Sequence, residues 1–180
     1  MQNLTVRVAP VTSWKLVDHC AKMTMGKDVE GSDDIEVVKR HINRQHSPIR
    51  AKIYSIDILN VKYWVAMHLV RHKVGVEFFV STQRDDRGNN PKDRDDAKQG
   101  NLVNMTMVIN LQALINMAER RLCTQAHKDT RAVMRLIVEE LRKVDTLAAK
   151  ALLPYCGTHG GVCHEDKPCG CCEAFKKLSL

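Results

Sequence analysis

The stretch RHKVGVEFFVSTQRDDR, residues 71–87, places cationic side chains at both ends of an apolar run. Arg71, His72 and Lys73 open it, and a polar burst that contains Arg84 closes it. A cationic cluster binds anions through Coulomb attraction and charge-assisted hydrogen bonds. A helix end that carries cations only to complement its dipole gives the same pattern. On the tripeptide alone the ordinary helix end is the better supported interpretation, so the rest of the chain has to decide.

The composition is that of one globular domain with a basic surface. Of 180 residues, 44% are hydrophobic, which is enough for a single domain with a core. The net charge is +7, from 28 Lys and Arg against 21 Asp and Glu, and this favours anionic partners such as nucleic acid, nucleotides or phosphorylated metabolites. Aromatic residues make up only 4%, which argues against a single-strand binding platform of stacked rings.

Hydropathy and cysteine content give an expectation about location. No apolar run approaches the roughly 20 residues that span a bilayer, so we expect no membrane segment. The N-terminal MQNLTVRVAP lacks the apolar region of a signal peptide. Seven cysteines without a secretory signal indicate reduced thiols. We therefore expect a cytoplasmic protein.

The spacing of apolar residues predicts an α+β fold in one domain, with a helical C-terminal half. Strands are expected over residues 5–8 and 53–59, the second with Tyr54, Ile56 and Ile58 on one side. Helical spacing predicts further elements over residues 14–25, from a Ser32 cap onward, 61–71, 105–123 and 128–153.

The segment from Gln83 to Gly100 is dense in charges of both signs and has few apolar side chains. Such composition predicts a mobile loop. Long polar loops in compact domains are usually functional or disordered. We expect a lid that orders when ligands bind, with a plain solvent-exposed connection as the alternative.

Polar side chains recur beside the apolar segments. Ser81, Gln83 and Arg84 follow the apolar run of the first stretch, where a hydroxyl and a guanidinium suit a phosphate or a carbonyl-rich base. Asn116 and Arg121 fall within an apolar helical pattern. Because an unpaired buried amide costs roughly 1–3 kcal/mol, these groups need partners, either a ligand or, more commonly, the backbone.

Together these residues resemble the motifs of the flavin-dependent thymidylate synthases. The RHR-x7-S pattern of that family is matched by Arg71-His72-Lys73 and Ser81 at the same spacing. Its N-x5-N-x4-R pattern, with an alanine five residues later, is matched by Asn110, Asn116, Arg121 and Ala126. The layout of residues 46–73 and the tail PYCGTHGGVCHEDKPCG, residues 154–170, are similar to the corresponding parts of the family.

The resemblance implies the fold, the assembly and the reaction. It implies an α+β single domain with a mixed sheet, here residues 1–154 followed by a Cys- and Gly-rich tail of residues 155–180. It also implies a homotetramer whose active sites are each built from several subunits. The implied activity is methylation of dUMP to dTMP, with FAD as cofactor and methylenetetrahydrofolate and NADPH as co-substrates.

The same resemblance implies roles for individual residues. The FAD-binding set would be Arg71, His72, Lys73, Asn110 and Asn116. The set that meets dUMP would be Ser81, Gln83, Arg84 and Arg121. Within that second set Arg121 and Ser81 would be catalytic, and Arg121 would stabilise negative charge on the uracil as it is attacked. No side-chain nucleophile is required, because the flavin carries the hydride chemistry.

Three alternatives stay open from the residues themselves. The sequence departs from the family pattern at Lys73, Phe78, Phe79 and Gln83, which leaves activity on another pyrimidine nucleotide possible. The basic run KRHINRQHSPIRAK, residues 39–52, together with the net charge, also fits a non-catalytic nucleotide- or nucleic-acid-binding module. A zinc site in the tail is the third, but its cysteines lack paired C-x2-C spacing, so we expect a reduced tail without a metal. The tail residues concerned are Cys156, His159, Cys163, His164, Cys169, Cys171 and Cys172.

Overall fold

A four-stranded sheet and seven α-helices make up the part of the chain that the computed structural model describes, residues 3–84, 86–87 and 95–170. The strands are β1 (Thr5–Pro10), β2 (Ile53–Lys62), β3 (Val76–Val80) and β4 (Leu102–Asn110). The helices are α1 (Trp14–Met23), α2 (Ile35–Arg44), α3 (Tyr63–Val70), α4 (Leu111–Arg121), α5 (Lys128–Val144), α6 (Thr146–Lys150) and α7 (Tyr155–Thr158), and a 3₁₀ helix, Ser47–Ala51, precedes β2. The α+β class and the helical C-terminal half are confirmed.

The strand order is β1-β2-β4-β3, and every pairing is antiparallel. The described strands therefore do not form the mixed sheet that the resemblance implied. An antiparallel sheet can leave one face in water, and the alternation along β2 shows this. Tyr54, Ile56 and Ile58 are fully buried as expected, whereas Ser55 and Asp57 on the other face are only half-buried.

On β3 and β4 the second face of the sheet carries three exposed apolar side chains beside the exposed Glu77 and Asn104. Phe79 is 63% exposed, Leu102 54% and Val108 36%, and all three point away from the core. Their buried neighbours along β4 are Val103, Met105, Met107 and Ile109. The sheet thus has one face filled by the core and another that presents apolar side chains to the surroundings.

Residues 105–123, expected as one helix, form the end of β4 and then α4. Methionine favours helices intrinsically, but β4 pairs with β2 on one side and β3 on the other, and this tertiary pairing overrides propensity. The change of structure occurs at Asn110. Its side-chain oxygen accepts a hydrogen bond from the Ala113 amide at 2.9 Å and so caps α4.

Residues 128–153, also expected as one helix, divide at Asp145. The backbone there is non-helical, with φ −153° and ψ 86°, and Oδ1 caps α6 through the Ala148 amide. Its Oδ2 accepts hydrogen bonds from Trp14 Nε1 at 2.8 Å and Tyr54 Oη at 2.7 Å. Burial and the Asp145 charge raise the pKa of Tyr54 far above its ordinary value, which keeps this donor protonated.

Several boundaries differ from expectation for local reasons. α3 begins at Tyr63 rather than Val61, because β2 continues through an irregularity at Asn60, where φ is 59°. α2 is capped by Asp34 rather than Ser32, since the Asp34 carboxylate accepts from the Glu36 amide at 2.9 Å.

Two further expectations concern the surroundings of the fold. No helix in the described ranges is long and apolar enough to cross a bilayer. Of the expected loop, residues 85 and 88–94 lie outside the described residues, and the rest form turns and irregular backbone between β3 and β4.

Candidate functional site

The turn between α3 and β3, residues 71–75, packs against the start of α4. We call it the cationic turn. Gly75 has φ +74°, a left-handed conformation that glycine adopts without strain, and its carbonyl accepts from the Asn110 amide at 3.0 Å. A Cβ added at Gly75 would lie 2.3 Å from Asn110 Nδ2 and 3.2 Å from Ala113 Cβ. Only a residue without a side chain fits there, so the cationic turn is held close to α4.

Arg121, at the C-terminal end of α4, holds the other end of this turn. Its Nε donates to His72 Nε2 at 3.0 Å, and one Nη2 hydrogen goes to the backbone carbonyl of His68 at 2.8 Å. His68 lies in the last turn of α3, where helix carbonyls lack intrahelical donors. The guanidinium therefore joins the end of α3, the following turn and α4.

Positive charge is concentrated where α3, the following turn and α4 meet. We call Arg71, His72, Arg120 and Arg121 the cationic cluster. Burial and the nearby Arg71 charge lower the pKa of Arg121, although an arginine stays charged at any working pH. Burial, Arg121 and Arg120 lower the pKa of His72 to about 4. Burial, Arg121 and Arg71 also lower the pKa of His68. Within the described ranges no carboxylate forms an ion pair with Arg71 or Arg121.

The remaining residues expected at this end are less enclosed. Lys73 is exposed beside the cluster. Asn110 uses its side-chain oxygen as the α4 cap, which leaves its Nδ2 facing Gly75. Asn116 is exposed on α4 and accepts from Gln112 Nε2 at 3.1 Å.

The other end of β3, at Ser81, is held by hydrogen bonds to β4. Ser81 extends the pairing beyond Val80, because its amide donates to the Asn104 carbonyl at 2.8 Å and its Oγ accepts from the Asn104 amide at 3.0 Å. Arg84 is exposed, and its Nε donates to Asp86 Oδ1 at 2.8 Å. Gln83 between them is half-buried.

One chain does not bring the two sets of residues together. From Val76 to Ser81 the strand advances by about 17 Å, at roughly 3.4 Å per residue. Arg71, His72 and Arg121 therefore lie beyond one end of β3, and Ser81 and Arg84 beyond the other. Within one chain, Arg121 and Ser81 are thus separated by about the length of β3.

Comparison with known proteins supports the fold. No protein-family model matches the sequence, and neither does any curated protein. Among solved structures, flavin-dependent thymidylate synthase ThyX from Helicobacter pylori, complexed with FAD and dUMP, has a TM-score of 0.65 and 13% identity over 82% of this chain and 99% of that one. A second structure of that enzyme with FAD and dUMP has a TM-score of 0.62 at the same identity and coverage. The UMP/dUMP methylase PolB from Streptomyces cacaoi, bound with 5-Br dUMP, has a TM-score of 0.62 and 12% identity over 83% of this chain and 94% of that one.

The chain has the fold of the flavin-dependent thymidylate synthases. The resemblance that the spaced motifs predicted is thus confirmed at the level of structure. At such low identity the likeness establishes the fold, and the role of each residue in this ThyX-like chain has to rest on its own contacts.

Three members of the candidate site were not singled out from the sequence. The sequence signal for Gly75 was a glycine between cationic residues and a predicted apolar segment. The signal for Arg120 was a second arginine directly beside Arg121. His68 lies within the helix predicted over residues 61–71. Its four-residue spacing from His72 would place both on one side of a continued helix, which is the signal that links them.

A cavity of about 330 Å³ adjoins the ThyX-like core beside the cationic cluster. It lies between the end of α4, α5 and residues 152–169, and Arg120 forms part of its wall. The guanidinium carbon of Arg120 lies over the Tyr155 ring, 5.9 Å from the ring centroid. Its lining includes four cysteines, Cys123, Cys156, Cys163 and Cys169. In the described ranges no three His, Cys, Asp or Glu side chains are placed to share a metal ion, and Cys171 and Cys172 lie outside those ranges.

Proposed function

We propose that the protein methylates dUMP to dTMP, using FAD, methylenetetrahydrofolate and NADPH. The observation that carries this proposal is the cationic cluster. Arg121 is half-buried beside Arg71, and its described contacts are the neutral acceptors His72 and the His68 carbonyl. Desolvating a charge next to a like charge is unfavourable unless an anion compensates. A phosphate or an anionic pyrimidine ring would supply that compensation.

The residues present fit a flavin dinucleotide at this end. The FAD diphosphate needs positive charge and donors, which Arg71 and Lys73 provide. Bound there, FAD would supply the hydride transfer of the reaction. His72, Asn110 and Asn116 complete the proposed set, with the Asn110 Nδ2 and an imidazole N–H as neutral donors.

The proposed substrate contacts lie at both ends of β3. Ser81, Gln83 and Arg84 would bind the nucleotide from one copy, and Arg121 would reach it from another. Ser81 Oγ already accepts from Asn104, so its own hydroxyl hydrogen remains to be donated to a ligand. Arg121 would stabilise the charge that develops on the uracil ring, because it is positioned before the reaction begins.

Contacts from two copies imply association, and we propose a homotetramer. Support comes from the separation of Arg121 and Ser81 along β3 and from the exposed apolar side chains of Phe79, Leu102 and Val108. Sedimentation at micromolar concentration should show a tetramer, and Phe79→Lys should weaken it, because a charge placed in an apolar interface is costly. A stable monomer in the unchanged protein would contradict the assembly. Within the chain, residues 1–154 form the proposed catalytic unit and residues 155–180 its appendage.

The deciding experiment combines colour with turnover. Purified protein should show the absorbance bands of oxidised flavin, or take up added FAD, and should convert dUMP to dTMP when both co-substrates are supplied. Each co-substrate omitted in turn gives the matched control. A colourless protein that neither takes up FAD nor binds dUMP would overturn the proposal, and polyanion binding that weakens steeply with salt would then indicate the nucleic-acid-binding module.

A second candidate substrate has support of its own. The solved neighbour PolB is named a UMP/dUMP methylase, and this chain carries Phe78, Phe79 and Gln83 near the proposed nucleotide end. Running UMP and dUMP in the same assay separates the two possibilities. A higher kcat/KM for UMP would assign the protein to the related reaction on the ribonucleotide.

A further inference from the structure

We propose that His72 is a positioning residue: a neutral imidazole, protonated on Nδ1, whose Nε2 lone pair holds the Arg121 guanidinium in a fixed orientation. This assignment differs from a cationic contact with phosphate, which the sequence pattern suggested for the whole tripeptide. It concerns the free protein, and only its effect on nucleotide affinity rests on the proposed function.

The hydrogen-bond chemistry allows one arrangement. Arginine nitrogens donate and never accept, so the 3.0 Å contact from Arg121 Nε to His72 Nε2 requires a lone pair on that imidazole nitrogen. An imidazolium, or the tautomer protonated on Nε2, would place N–H against N–H. The proton of a neutral His72 must therefore sit on Nδ1.

A second acceptor completes the clamp. Arg121 Nη2 donates to the His68 carbonyl at 2.8 Å, in the last turn of α3. Two fixed acceptors define the plane of the guanidinium. Of the five N–H donors of an arginine, these bonds use two, and the other three remain for a ligand.

The electrostatic surroundings act in the same direction. The charged groups that act on His72 are Arg121, which also contacts it, and Arg120. With burial, the arginine charges lower the pKa of His72 to about 4, so the acceptor form persists at neutral pH. A neutral His72 also avoids adding a fourth positive charge to those of Arg71, Arg120 and Arg121.

Nitrogen NMR of the ligand-free protein tests the assignment directly. In histidine-labelled protein, His72 should show a pyridine-type Nε2 and a protonated Nδ1 at pH 7. Protonation of Nε2, or an imidazolium at that pH, would overturn the proposal. The Arg121 Nε hydrogen should exchange with water at least about ten times faster in His72→Phe than in the unchanged protein, since its acceptor is gone. Equal exchange in both proteins would also overturn it.

Paired variants separate positioning from charge. The Gln side-chain oxygen can accept from Arg121, so His72→Phe should lose at least about ten times more dUMP affinity than His72→Gln loses. His46→Phe, at an exposed histidine, is the matched control and should change nothing. Equal losses in both His72 variants, with folding verified by circular dichroism, would contradict positioning. If the unchanged protein bound no dUMP, the proposed function would fail while the NMR result would still decide this inference.

Discussion

The two ends of β3 both present arginines, yet they hold them in opposite ways. At the start of the strand Arg121 is half-buried and bonded to groups 49 and 53 residues away in sequence. At the far end Arg84 is exposed, and its hydrogen bond to Asp86 spans two residues. The first arrangement depends on tertiary structure, and the second is local.

The way in which each arginine is held determines what each end of β3 can do. A guanidinium fixed before a ligand arrives stabilises charge without reorganising, which is what catalysis and tight anion binding require. An exposed arginine must lose side-chain freedom of up to about 2 kcal/mol when a ligand immobilises it. The cationic end is therefore preorganised, whereas Arg84 at the Ser81 end would have to be ordered by any ligand that it contacts.

The largest expected effect follows from removing the fixed arginine. Arg121→Ala should weaken dUMP binding by about 2–5 kcal/mol, because a desolvated charge contact is lost. Arg84→Ala should cost less than about 1.4 kcal/mol, a factor of ten, because Arg84 has to be ordered on binding. Calorimetry measures both, and Arg142→Ala on the exposed end of α5 is the charge-matched control. Equal losses for Arg121 and Arg84 would remove the distinction between the two ends.

The next effect tests how tightly the cationic turn is held. Gly75→Ala should destabilise the protein by about 1–3 kcal/mol more than Gly26→Ala. Both glycines have a left-handed φ, +74° and +70°, but only Gly75 has Asn110 where a Cβ would go. Chemical denaturation compares the two variants directly. Equal destabilisation would mean that the turn yields, and the cationic end would then be no more preorganised than the other.

Acid should loosen the cationic end selectively. The pKa of His72 is about 4 in the fold, below its ordinary value of 6.5, so the unfolded chain binds the proton more readily. Stability is therefore complete above pH 6.5 and decreases as the pH falls from there towards 4. Since His72 is only half-buried, screening should limit its share to about 1 kcal/mol. In denaturation curves at pH 7 and 5, His72→Gln should lose less stability than the unchanged protein, and an identical loss would contradict this origin.

How well the sequence predicts the fold depends on how far apart in sequence the contacting residues lie. The alternation in β2 was predictable, because burial on one face repeats every second residue. The division at Asp145 was not, since its partners Tyr54 and Trp14 are 91 and 131 residues away. The start of α4 at Asn110 was missed for a related reason, because β4 is a strand only when β2 and β3 flank it.

The same limit applies to the candidate site. The resemblance implied an FAD contact for His72 and a dUMP contact for Arg121, and the structure joins the two side chains by a hydrogen bond. The motifs could not show that His72 accepts rather than carries charge, because that depends on burial and on neighbouring arginines. They also could not show that Ser81 lies a strand length away from Arg121.

The smallest expected effect lies at the Ser81 end. Ser81 Oγ accepts one hydrogen bond from the Asn104 amide at an exposed position, where water can replace it. Ser81→Ala should therefore reduce stability by about 0.5–1 kcal/mol at most. Asn110→Ala, which removes the α4 cap at the other end of β3, should cost more, about 1–2 kcal/mol. Thermal denaturation ranks the two variants. If Ser81→Ala were the more damaging, the far end of β3 would be a structural anchor, and a ligand-binding role for its hydroxyl would lose its basis.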